Sequence, residues 1–172
     1  MKNLLLVIAC VLTSNIIFGQ NDAITKYFNQ YKDDKRFTMV EVSPKLFQMV
    51  ANVASEEIKD PELIAMIKDM RGLKILQTED SPNEFYNEAI AKINTKEYEE
   101  FLTVRDDGQN IKFLVKDAED GNLVNELLLI VGGDDEFVLL SFVGKIYLDK
   151  IGKLARSMDI EGLEHLDKLD KD

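Results

Sequence analysis

Apolar residues run almost without interruption from Leu127 to Val131 and again from Phe137 to Val143, and Gly132-Gly133-Asp134-Asp135-Glu136 lies between the two runs. The glycines and acids cannot extend either run, so Asn125 to Ile146 predicts a β-hairpin rather than a buried helix. A strand with one wet face alternates apolar and polar residues. Runs this continuous imply strands covered on both faces, by helices on one and by further protein on the other, and they place this hairpin at the centre of a sheet.

A different pattern governs the N-terminal half. Ser43-Pro44, Asp60-Pro61 and Ser81-Pro82 each set a capping side chain before a proline, which is tolerated at the first helical position because its missing N–H would have no partner there. Each pair predicts a helix start. After Pro44, Leu46, Phe47, Val50 and Val53 recur on one face; after Pro61, Leu63, Ile64, Ile67 and Met70 do so until Gly72. After Pro82 come Phe85, Ala89, Ile90 and Ile93, and Ser81 with Glu84 has the spacing of a capping box. An earlier helix carries Ile24, Tyr27, Phe28 and Tyr31 on one side. All four are amphipathic, so each is expected to cover a sheet or another helix.

Strands are expected at Phe37 to Val42 and Leu73 to Thr78, between helices, and then consecutively at Tyr98 to Val104, Ile111 to Val115, Val124 to Val131 and Phe137 to Ile146. Short Asp- and Gly-rich connections make the last four an antiparallel meander. The fold class is therefore α+β: an antiparallel sheet, built from this meander and the two earlier strands, with amphipathic helices packed on one face. A further helix is expected through Leu148, Ile151, Leu154 and Met158, followed by a C-terminal segment in which Ile160, Leu163, Leu166 and Leu169 recur every three residues. That spacing leaves a slanted apolar stripe on a helix, read first as packing on its own domain and second as a docking stripe for a partner protein or a second copy.

The opening residues bear on compartment. Lys2, the apolar run Leu4 to Leu12 and a more polar stretch ending at Gly19 form a signal-peptide pattern, with cleavage expected after Gly19. The run is shorter than the roughly 20 residues a membrane span needs, and no other stretch reaches that length. Val7-Ile8-Ala9-Cys10 resembles a lipobox, so a lipid anchor on Cys10 is a minor alternative. The expected organisation is a signal peptide at 1–19, one α+β domain at 20–158 and the C-terminal segment at 159–172. Removing 19 of 172 residues leaves 153, takes away Lys2 and the single cysteine, and moves the formal charge from −11 to −12. Without cysteine no disulfide framework exists, and a packed core must supply the stability. The acidity argues against nucleic acid and anionic membrane surfaces as partners.

Candidate chemistry is sparse. His165 is the single histidine, in the C-terminal segment, and Ser141 sits in an expected strand without nucleophile-elbow spacing. Without Cys10 no Cys/His zinc set remains, and Gly132-Gly133 is followed by acids that would repel a phosphate. Asp106-Asp107 and Asp134-Asp135-Glu136 are expected at one end of the meander, with Asp117, Glu119 and Asp120 at the other. None matches calcium-loop spacing, and acids are ordinary in solvated hairpin tips. No catalytic, metal or cofactor residue is assigned. The candidate interaction residues are Ile160, Leu163, Leu166 and Leu169.

The order of pieces carries a resemblance. Met39-Val40-Glu41-Val42-Ser43 leads into Leu46-Phe47; Arg71-Gly72-Leu73-Lys74 follows, then Tyr98 ahead of a strand. The hairpin from Glu126-Leu127 through Phe137-Val138-Leu139-Leu140, Gly144-Lys145-Ile146 and the tail Gly162-Leu163 complete it. The chain resembles the secreted Bacteroidetes proteins catalogued as domain of unknown function 4252. The resemblance implies export, in some members as lipoproteins, and brings no activity or functional residue with it; Cys10 departs from the lipoprotein pattern because it lies inside the apolar run. The expected role is a non-enzymatic binding or interaction module of the cell envelope, periplasmic or secreted. The alternatives are a small carboxylate-dependent hydrolase and a self-associating structural envelope protein.

Overall fold

The computed structural model describes residues 23–150 apart from 57, 107 and 117–121. The expected signal peptide, Cys10, His165 and the stripe Ile160, Leu163, Leu166 and Leu169 lie outside the described residues. In chain order the elements are α1 (Ala23–Gln30), β1 (Thr38–Val42), α2 (Pro44–Ala54), α3 (Pro61–Asp69), β2 (Met70–Thr78), α4 (Pro82–Lys92), a 3-10 turn (Thr95–Glu97), β3 (Glu99–Asp106), β4 (Gln109–Lys116), β5 (Leu123–Gly132) and β6 (Phe137–Tyr147). The six strands form one sheet in the order β1-β2-β6-β5-β4-β3, antiparallel at every step. The α+β class, the meander and the central place of the β5–β6 hairpin all stand as read from the sequence.

Register explains the unbroken apolar runs. Leu127, Leu129 and Val131 pair with Phe142, Leu140 and Val138 on one face, and Leu128 and Ile130 pair with Ser141 and Leu139 on the other. Leu127 to Ile130 are all fully buried. Helices accordingly cover both faces, which corrects the expectation of helices on one face alone. Phe47, Ala51, Leu63, Met66 and Ile67 of α2 and α3 join the first face, whereas Ile24, Phe28, Phe85 and Ala89 of α1 and α4 join the second. An amphipathic stripe states that a helix must be covered; it does not say on which side of a sheet.

All three prolines open helices, but only one of the three expected caps forms. The Asp60 carboxylate accepts from the Glu62 and Leu63 amides at 3.1 Å each. Ser43 makes no capping bond, and Ser81 stands at φ 50° with its hydroxyl donating to Asp80 instead, so the Ser81–Glu84 capping box is absent. The tight turn that Asp80 makes onto the Thr78 hydroxyl sets this geometry. Helix α3 ends at Asp69, before the expected stop at Gly72, and Met70 enters the core as the first residue of β2.

Polar groups tie α1 to α4 across the second face. The Tyr27 hydroxyl donates to the Phe85 carbonyl at 3.2 Å, and the Tyr31 hydroxyl donates to the Glu88 carboxylate at 2.6 Å, where Gln30 and Lys92 also donate. Rings of Tyr31, Phe37 and Phe85 meet within 5.4 Å beneath this network. Burial, reinforced by the Glu88 carboxylate, pushes the Tyr31 phenol up to about 12. Burial alone would raise Glu88, but the donors Lys92, Tyr31 and Gln30 outweigh it and hold the carboxyl below its ordinary range.

Two predictions follow from this packing. The Tyr31 phenol ionises near 10.0 in the unfolded chain and near 12 in the folded one, so its contribution is complete below pH 10 and is lost as pH rises toward 12. Thermal melts of Tyr31→Phe from pH 9 to 12 should fall less steeply than those of the parent chain; equal slopes would show that Tyr31 does not carry this dependence. At the end of β5 the Tyr86 ring lies directly against Gly132, in space that a β-carbon would need. Gly132→Ala should lower unfolding free energy in urea by about 1–3 kcal/mol, and much of that loss should return in the Gly132→Ala, Tyr86→Ala pair.

Candidate interaction surface

Strand β1 passes straight into α2 through Ser43, so the edge of the sheet and this helix are positioned as one unit. Pro44 fixes the first turn, and the helix runs 11 residues to Ala54. The sequence assigns one apolar face, Leu46, Phe47, Val50 and Val53, to burial; the structure corrects this. Only Phe47 and Ala51 are buried, 4% and 0% exposed. Leu46, Met49, Val50 and Val53 are exposed by 46%, 56%, 46% and 76%. Their i, i+3, i+4, i+7 spacing makes a continuous outer stripe. Lys45, Gln48 and Asn52, all exposed, occupy the remaining arc.

Because α2 packs on β2 beneath it and on α3 beside it, helical geometry sets the outer stripe on the flank away from α3, toward the sheet edge. Val40 of β1, 40% exposed, pairs with Ile75, which pairs in turn with Leu140 in the core of that face. It therefore lies on the same side of the sheet as α2 and extends the stripe onto the edge strand. Single exposed apolar residues are ordinary; four on one helical stripe, with Val40 on the same side of the sheet, make this the candidate interaction surface. Past the end of α2 an open groove of about 510 Å³ runs along α3, with Ile58, Pro61, Ile64 and Ala65 as its floor and Lys59 and Lys68 at its rim.

Polar candidates fall into structural roles. The two acidic turns expected at one end of the meander do adjoin, with an Asp134 carboxylate oxygen beside Gly108. Asp134 accepts from the Asn83 amide at 3.1 Å and Glu136 from the Gln77 amide at 2.8 Å. Among the described residues no three His, Cys, Asp or Glu side chains gather as a metal site would require. Ser141 lies within β6, buried, and donates to the Glu126 carboxylate at 3.2 Å. No described helix is long and apolar enough to cross a membrane.

The exposed α2 stripe is the surface feature that sequence reasoning missed. A signal for it was present, because Met49 widens the apolar arc of α2 beyond what Phe47 and Ala51 need to reach the core. No curated protein and no solved structure matches the chain. The family described as domain of unknown function (DUF4252) matches residues 31–154, from the aromatic turn after α1 through the whole sheet, and the chain belongs to that family.

Proposed function

We propose that this chain is an exported, non-enzymatic interaction module of the cell envelope that works through the outer flank of α2. The observation that carries the proposal is the patch of Val40, Leu46, Met49, Val50 and Val53, which stays in contact with water although each of its side chains would gain by leaving it. The signal-peptide pattern of the first 19 residues supports export. An acidic chain of net charge −11 is suited to soluble protein partners rather than to polyanions. Binding by such a patch follows the helix-in-groove mode, in which a few apolar anchors supply the affinity and the polar flank excludes wrong partners.

The test is site-specific photocrosslinking in intact producing cells. A photoreactive residue at Met49 or Val53 should give a discrete adduct on a chain shortened by removal of the first 19 residues, and the same probe at Gln48 or Asn52, on the polar flank, should not. Equal labelling at all four positions, or none at any, would overturn the docking role; an unshortened chain would overturn export.

A further inference from the structure

We infer that the occupant of this surface is a second copy of the chain, joined edge to edge through β1 with α2 beside its counterpart. The inference rests on the interaction-module reading and names its partner. The two edges of the sheet differ in how they are defended. Strand β3 carries Glu99, Glu100 and Arg105 and a register shift between Glu100 and Leu102, and charges and bulges are the devices that keep an edge from pairing. Strand β1, Thr38-Met39-Val40-Glu41-Val42, has one charge and neither bulge nor proline. Glu41 is moreover already paired with Lys74 at 3.4 Å. The edge strand with the fewest such devices leads directly into the helix that carries the exposed stripe.

Symmetry makes the two features one interface. Every neighbour in this sheet is antiparallel, and a two-fold axis perpendicular to the sheet beside β1 continues that pattern, joining two six-stranded sheets into one. Such an axis keeps each face on its own side, so α2 of one copy and α2 of the other stand on the same face and flank the paired β1 strands. Centred on Val40, it sets Val40 against Val40 and Glu41 of one copy against Met39 of the other, which avoids a like-charge contact. Lys150 is held at the start of α3 by Asp60 at 3.4 Å and Glu62 at 3.1 Å.

Five residues of edge pairing and the apolar side chains of the two stripes make a modest contact, of the class that associates weakly and reversibly. The joined surface is apolar while each copy is strongly acidic, −11 for the full chain and −12 without residues 1–19, so salt should tighten association by screening the repulsion between copies. Sedimentation equilibrium of the purified mature chain tests this. The expected result is a monomer–dimer equilibrium strengthened several-fold between about 0.05 and 0.3 M salt. Val53→Glu and Val40→Lys should each weaken it at least tenfold, and Thr103→Lys on the β3 edge should leave it unchanged. Melting temperatures of these exposed-site variants report that each has folded. A monomer at every concentration, or a dimer indifferent to both Val53→Glu and Val40→Lys, overturns the inference. If the chain is monomeric and Met49 still crosslinks in cells to a mass other than its own, the interaction-module reading stands with another partner. A Met49 crosslink within a single chain assigns the patch to the C-terminal segment and overturns the second copy as occupant.

Discussion

Everything in this fold answers to the burial of β5 and β6 on both faces. Leu127 and Leu129 point one way, Leu128 and Ile130 the other, and none of the four touches water. Each such side chain contributes roughly 1.5–3 kcal/mol when removed from solvent, so neither face of the hairpin can be left open. The chain meets the demand by dividing its helices, with α1 and α4 on one side and α2 and α3 on the other. With a single cysteine the chain can form no disulfide within itself, so these two apolar layers supply the stability.

The same constraint explains why α2 is unusual. A helix that only closed the core would need Phe47 and Ala51 and little more. Leu46, Met49, Val50 and Val53 add nothing to closure, and their exposure to water is a liability that ordinary surfaces avoid. The cost is understandable if the surface has a second use. The edge strand that feeds α2 is as little protected as the helix, whereas the opposite edge is guarded by charge and a bulge. Asymmetry of that kind between two edges of one sheet is what a directed contact requires. Elsewhere the polar groups serve the fold: Glu88 holds α1 to α4, Asp60 caps α3 and receives Lys150, and Ser141 satisfies part of the buried Glu126.

Features with one physical cause were legible in the sequence. Leu127 to Val131 could only be a strand covered on both sides, and Asp60-Pro61 could only open a helix, because short-range rules decide both. Features that depend on a choice between equivalent solutions were not. Ser81-Pro82 opens a helix as expected, yet Ser81 turns left-handed because Asp80 and Thr78 close the preceding turn. Amphipathic helices could be assigned to the sheet, but periodicity carries no information on which face. Leu46, Val50 and Val53 read as core because an apolar position looks the same whether its partner is its own domain or something else. The stripe at Ile160, Leu163, Leu166 and Leu169 poses the same ambiguity, outside the described residues.

Amide hydrogen exchange, compared between dilute and concentrated solutions of the chain without residues 1–19, tests the central claim most directly. The account predicts that Leu127–Ile130 and Leu139–Phe142 exchange slowest at both concentrations, and that added protection on concentration is confined to Thr38–Ala54, the span of β1 and α2. Protection that grew instead along β3, or that left Thr38–Ala54 unchanged while the central hairpin exchanged quickly, would contradict it.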